Sequence, residues 1–134
     1  MLEWLRKKKE TPLTGAPPVR RQKTYSAESG YVYQYFYEGQ RPASREGSPG
    51  VQYVFDVSSD RKSSSPVSVF VSEEALGPWQ ARNARQLSST ERYAVAKLAL
   101  MQAFDRRASP SEMNEEVRVQ PADVDSILAM LDIG

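Results

Sequence analysis

Residues 31–39 read YVYQYFYEG, with Tyr31, Tyr33, Tyr35 and Tyr37 at every second position. Alternate residues of a strand share one face, whereas a helix would scatter the same four side chains around its cylinder. The stretch is therefore read as a strand, and its aromatic face requires a sheet and a cover. Two further segments alternate in the same way: VQYVFDV at 51–57 and PVSVFVS at 66–72. Pro66 opens the third, a position where proline is tolerated. The stretches between them, GQRPASREGSPG and SSDRKSSS, are polar and rich in turn residues. Two successive hairpin-like connections predict an antiparallel meander.

The tyrosine side of the first strand is matched by Val51, Tyr53, Phe55 and Val57 in the second, and by Val67, Val69 and Val71 in the third. This face is expected to pack beneath a helix. The opposite face is mixed. On it Val32, Phe36, Val54 and Phe70 form an apolar patch framed by Gln34, Glu38, Gln52 and Asp56. Such a patch is normally covered, and two covers are available: the C-terminal helix of the same chain or another protein chain. The tyrosine ladder has a second reading, as a platform on which bases stack. Against it, the three strands carry no interleaved Lys or Arg to hold phosphates.

The segment LSSTERYAVAKLALMQAFDRR, 87–107, is the clearest helix. Ser88 and Glu91 have capping-box spacing, and Tyr93, Ala96, Leu100 and Phe104 make one stripe. Arg106 and Arg107 complement the dipole at its C-terminal end. Before it, Ser72 followed by EEAL predicts a short helical turn that Gly77-Pro78 would stop. After it come a polar linker over 108–116, a short strand VRV at 117–119, and a helix over 121–132. Pro121 suits the first position of that helix, and Val124, Ile127, Leu128 and Leu131 share one side of it. The expected fold is α+β: a three- to four-stranded antiparallel sheet backed by one long helix, plus a C-terminal amphipathic helix. The expected organisation is a basic flexible arm over 1–24, the α+β domain over 25–107, and an acidic linker and helix over 108–134.

The chain has neither cysteine nor histidine. That removes disulfides, thiolate nucleophiles, imidazole bases and the commonest metal ligands. No catalytic, cofactor-binding or metal-binding residue is assigned, and no enzyme is expected. Three patterns look chemical at first. YAVAKLAL, from Tyr93, resembles the catalytic helix of short-chain dehydrogenases, in which the tyrosine is the acid/base and the lysine lowers its pKa. The resemblance spans eight residues, and no glycine-rich strand-to-helix turn precedes them. Ser59 and Lys62 have the spacing of serine acylases but lie in a hydrophilic loop rather than at a helix start. Glu73 and Glu74, like Asp123 and Asp125, fall where acidic residues complement a helix dipole.

Net charge is +1 but uneven. Residues 1–23 hold seven Lys/Arg against Glu3 and Glu10, whereas 107–134 hold two arginines against six acids. Function is therefore expected in contact rather than catalysis. The leading reading is a protein–protein interaction domain, or a homo-oligomer, using Val32, Phe36, Val54 and Phe70 together with Val124, Ile127, Leu128 and Leu131. The alternative is nucleic-acid binding through Lys7, Lys8, Lys9, Arg20, Arg21 and Lys23, aided by the sheet aromatics. A weaker idea is peripheral membrane contact through residues 1–9, where Leu2, Trp4 and Leu5 adjoin four cations. The apolar runs are far too short for a membrane span, and the first ten residues lack the apolar stretch of a secretory signal, so the expected location is cytoplasmic.

Overall fold

The structure, a computed structural model, describes residues 11–133. Its elements in chain order are β1 (Lys23–Ser26), β2 (Val32–Arg45), β3 (Ser48–Ser58), β4 (Ser65–Ser72), α1 (Glu73–Asn83) and α2 (Ser89–Arg106). A 3₁₀ turn (Pro110–Asn114), β5 (Val117–Arg118) and α3 (Pro121–Met130) follow. The class is α+β, as expected from the sequence. The sheet is larger than expected, with five strands in the order β1-β2-β3-β4-β5. It is also mixed, because β5 runs parallel to β4 while the other neighbours are antiparallel.

The segment read as a long polar loop, 39–50, is mostly strand. β2 and β3 are joined by a two-residue turn, Glu46-Gly47, with φ of +50° and +78°. Positive φ at both central positions matches the right-handed twist of the flanking strands. Pro42 is accommodated because β1 pairs only with residues 32–35 of β2, so the rest of β2 runs along an edge. One irregularity interrupts this hairpin. Tyr37 faces Phe55 but Gly39 faces Val54, leaving Glu38 as the extra residue of a bulge. Past the bulge the parity of β2 reverses: Gln40 lies opposite the core residue Tyr53, and Arg41 opposite Gln52.

The proline at 78 does not end α1. The helix runs on to Asn83, although a proline there forfeits the bond to the Glu74 carbonyl. Several features offset that loss. The Ser72 hydroxyl accepts from the Ala75 N–H at 2.9 Å, the Asn83 amide donates to the Trp79 carbonyl at 2.9 Å, and Leu76 and Trp79 are buried. Helix α2 begins with the expected capping box. The Ser88 hydroxyl accepts from the Glu91 N–H at 3.1 Å, and the Glu91 carboxylate accepts from the Ser88 N–H at 2.9 Å. Arg85 also donates to that carboxylate and, with the Ser88 N–H, holds its pKa down at about 2.

The core lies between the tyrosine face of the sheet and the helices. Tyr33, Tyr53, Phe55, Val69, Leu76, Val95, Leu100 and Phe104 are fully buried there. Helix α3 stacks on α1 and α2, and Val124, Ile127 and Leu128 are completely enclosed in the same cluster. Leu131 packs at its margin. Met113 of the 3₁₀ turn is also buried, and Arg107 fixes that turn by donating to the carbonyls of Glu112 and Glu115 at 2.8 and 2.7 Å. The stretch read as a polar linker is thus a packed connection. No helix among the described residues is long and apolar enough to cross a membrane.

Candidate binding clefts

Within the chain, the second face of the sheet is covered not by α3 but in large part by arginines. The Arg20 guanidinium lies 3.8 Å from the Phe36 ring centroid, and the Arg45 guanidinium 5.0 Å from that of Phe70. Each is held there by carboxylates. Arg20 donates to Glu38 at 3.0 Å and to Asp56 at 3.1 Å, and Arg45 makes a two-pronged pair with Glu116 at 2.8 Å on each arm. Arg118 bridges Glu46 and Glu116 at 2.8 and 3.5 Å. Phe70 and Val54 are buried and Phe36 is half-buried, while Val32, the first residue of β2, stands 41% exposed. The apolar patch expected from the sequence is therefore largely paved over within the chain. Sequence pattern concealed this because the bulge at Glu38 is what turns Arg41 and Arg45 onto this face.

The arm is tied to the sheet at two points. Thr14 and Gln40 exchange both backbone hydrogen bonds at 2.8 Å. Gly39 makes that approach possible: it sits at φ +130°, and a Cβ there would fall 2.7 Å from the Thr14 carbonyl oxygen and 3.1 Å from Leu13 Cβ. The second tie is Arg20, through Glu38 and Asp56. Between the ties Pro17, Pro18 and Val19 line one side of a cleft of about 450 Å³. Its floor and far wall are Tyr35, Tyr37 and Tyr93, with the last two rings 4.7 Å apart between centroids. The Tyr37 hydroxyl donates to Gln40 Oε1 at 3.0 Å. Burial raises the pKa of all three tyrosines, so they remain neutral phenols.

From Val19 onward the chain alternates between the two faces. Val19, Arg21 and Lys23 line the tyrosine cleft, whereas Arg20 and Gln22 line a second pocket on the opposite side of the sheet. Lys23 pairs with Tyr35 across β1 and β2, which carries the tyrosine parity back into the arm. The cations proposed as nucleic-acid contacts are thus split. Arg20 is spent on Glu38 and Asp56, and Arg21 and Lys23 stand at the cleft mouth with no ion pair among the described residues. Lys7, Lys8 and Lys9, and the whole membrane-contact segment 1–9, lie outside the described residues. Lys23 and Thr24, read as the end of the arm, open β1.

Tyr93 belongs to the cleft, but Lys97 does not line it. The strands that precede the Tyr93 helix form an antiparallel meander, not the parallel sheet on which dinucleotides bind. Ser59 and Lys62 lie in the β3–β4 loop. Among the described residues no three Asp or Glu side chains gather so as to hold a metal ion. A third hollow, of about 340 Å³ beside Phe70, is walled by Arg45, Glu46 and Arg118, whose charges are already paired. Sequence reasoning did not find the tyrosine cleft. The signals for it were Pro17-Pro18 and the parity of Val19, Arg21 and Lys23, both masked by reading the arm as free chain. Compared with family models, curated proteins and solved structures, the chain matches none.

Proposed function

We propose that this is a non-catalytic interaction domain whose tyrosine cleft seats a segment of a partner protein. The segment is extended, places one apolar side chain between Tyr37, Tyr93 and the Pro17–Pro18 side, and carries acidic residues beside it. The observation that carries this reading is charge complementarity at an apolar cleft: Arg21 and Lys23 stand unpaired among the described residues at the mouth of a space walled by three tyrosines. A cleft of this volume, mostly apolar with a few fixed polar groups, is the usual form of a binding site. Tyrosine suits such a wall, because it offers a rigid ring for contact and a hydroxyl for orientation. The absence of cysteine and histidine from the chain agrees with binding without chemistry.

The test uses two labelled decapeptides, each with a central leucine, flanked in one by glutamates and in the other by lysines. Fluorescence anisotropy with the full chain should show binding of the acidic peptide alone, weakening as salt is added. Arg21→Glu combined with Lys23→Glu should abolish that binding, and both positions are exposed, so the fold should survive. Equal binding of the two peptides, or of the acidic peptide to the double variant, would overturn the reading.

A further inference from the structure

Between Thr14, which faces Gln40, and Lys23, which faces Tyr35, the arm residues 15–22 run beside only residues 36–39 of β2. The arm is thus longer than a flat antiparallel strand requires, and it bends at Pro18 and Val19. Among the described residues no backbone hydrogen bond ties 15–22 to the sheet. What holds the middle of this span is a side chain. The Arg20 Nε donates to Glu38 Oε1 at 3.0 Å, its Nη2 donates to Asp56 Oδ2 at 3.1 Å, and the guanidinium lies over the Phe36 ring. Glu38 is the extra residue of the β2 bulge and Asp56 belongs to β3, so the anchor spans two strands.

Arg20 does not line the tyrosine cleft, yet its two chain neighbours, Val19 and Arg21, do. Alternation along the arm sends Arg20 to one face of the sheet and Val19 and Arg21 to the other. An anchor on one face therefore sets the position of a wall on the opposite face. The two sides of the cleft differ in firmness. Tyr35 belongs to the core, and Tyr37 and Tyr93 pack against it, with Phe55 between them at 5.4 and 6.4 Å from their ring centroids. Residues 17–23 are exposed, and the ion pair that orders them is itself half-exposed, a kind of contact that contributes little stability alone. The arm side is thus the adjustable side of the cleft.

We infer that Arg20 is the positioning residue of the tyrosine cleft, an inference that rests on the peptide reading of that cleft: held by Glu38 and Asp56 on one face of the sheet, Arg20 seats Val19 and Arg21 against the ligand on the other. A ligand that touches both the tyrosines and the arm favours the seated arm, and the seated arm favours the ligand by the same factor. Peptide bound on one face thus tightens the Arg20 contacts on the other without touching them. Glu38 and Asp56 separate this device from a simple charge effect. If overall charge alone mattered, removing two acids would strengthen the binding of an acidic peptide. If the two carboxylates act by holding Arg20, removing them weakens it.

The test titrates the acidic, leucine-centred decapeptide into the full chain and into three variants: Arg20→Ala, Arg20→Lys, and Glu38→Ala combined with Asp56→Ala. All three side chains reach solvent, so the fold should survive. Arg20→Ala should weaken binding about three- to tenfold, the scale on which exposed ion pairs and a cation–π contact act together. Arg20→Lys keeps the charge but not the guanidinium fork, and should recover part of the loss. The double carboxylate variant should also bind more weakly, in spite of its added positive charge. In the parent chain, NMR should show slower hydrogen exchange at the Arg20 Nε–H and the Thr14 amide once the peptide is saturating. A parent chain that does not bind the peptide would overturn the cleft reading and the role of Arg20 together. Where the parent binds, three results would each overturn the role of Arg20 alone: Arg20→Ala binding as tightly as the parent, the double variant binding as tightly or more tightly, or an Arg20 Nε–H exchange rate unmoved by the peptide.

Discussion

Tyr33 lies flat on Phe104, with ring centroids 4.1 Å apart and planes within 9° of parallel. This stack joins the middle of the sheet to the last turn of α2, and both side chains are fully buried. Phe104 also meets Tyr25 at 5.9 Å and Tyr35 at 6.1 Å, so a single ring gathers three strand residues. The Tyr33 hydroxyl, by contrast, is buried with no hydrogen-bond partner. Phe104→Ala should cost about 3–5 kcal/mol, read from the urea midpoint at constant m-value. Tyr33→Phe should be neutral or stabilising, because it removes an unsatisfied polar atom and keeps the stack. A clear loss of stability in Tyr33→Phe would show that the hydroxyl is bonded in solution.

The tyrosine cluster makes the domain sensitive to alkali. Burial pushes Tyr53 up to about 12 from an ordinary value of 10, and raises Tyr33, Tyr35, Tyr37 and Tyr93 for the same reason. Tyr25 also rises to about 12, chiefly because its hydroxyl donates to Asp105 at 2.8 Å. Each folded-state pKa exceeds the unfolded one, so the stabilising effect is complete below pH 10 and is lost as pH climbs through the folded values. Phenolate absorbance and far-UV circular dichroism should therefore change together above pH 10. Phenolate formation already half complete near pH 10 for these tyrosines, with the fold intact, would contradict the buried placement.

Helix α3 should behave as core. Leu128→Ala is expected to cost about 2–5 kcal/mol in chemical denaturation, since the side chain is wholly enclosed. Leu128→Asp should cost more, because a charge would have to enter the same space. Neither change should alter the environment of Phe36 or Phe70, which α3 does not cover. A Leu128→Ala domain as stable as the parent would mean that the helix docks elsewhere.

Gly39→Ala tests the arm. The added methyl group has no room beside Thr14, and φ +130° is unfavourable for any residue with a Cβ. The arm should detach between Leu13 and Val19, seen as faster amide exchange at Thr14 and as new protease cleavage near Pro17-Pro18. The global unfolding midpoint should move far less than in Phe104→Ala. Unchanged protection of the Thr14 amide would show that the arm is not held by that bridge.

Strand periodicity made the tyrosine face legible, together with its partners Tyr53, Phe55, Val67, Val69 and Val71, all buried as their spacing implied. The Ser88–Glu91 cap and the Val124–Leu128 stripe were legible because each rests on contacts within a few residues. What escaped depends on distant chain. Lys23–Ser26 is four residues beside a charged arm, too short to show a period, and becomes a strand only because β2 offers it an edge. Residues 39–45 and 48–50 look like loop because Pro42, Pro49 and several small polar residues dilute the pattern, yet pairing with β3 and the Glu46-Gly47 turn hold them extended. Pro78 is carried inside α1 by the burial of Leu76 and Trp79, which no local propensity reports. Of the tyrosine cleft, sequence pattern shows only the tyrosines, whose alternation marks the core face; the arm residues that complete it carry no hydrophobic period.

The extra residue at Glu38 means that β2 carries two phases in series. Up to Tyr37 the odd positions face the core, and from Gln40 the even ones lie on that side of the sheet, with Pro42 and Ser44 exposed beyond the core's margin. The strand is thus readable only from its ends inward, like a text with one inserted letter. Removal of Glu38 would leave the first half correct and shift the second by one, sending Arg41 and Arg45 toward the tyrosines and stranding Glu116. Length variation is therefore not interchangeable along this hairpin. The Glu46-Gly47 end tolerates added residues without changing the phase of either strand, whereas at position 38 a single residue decides which side of the domain is paved with arginine.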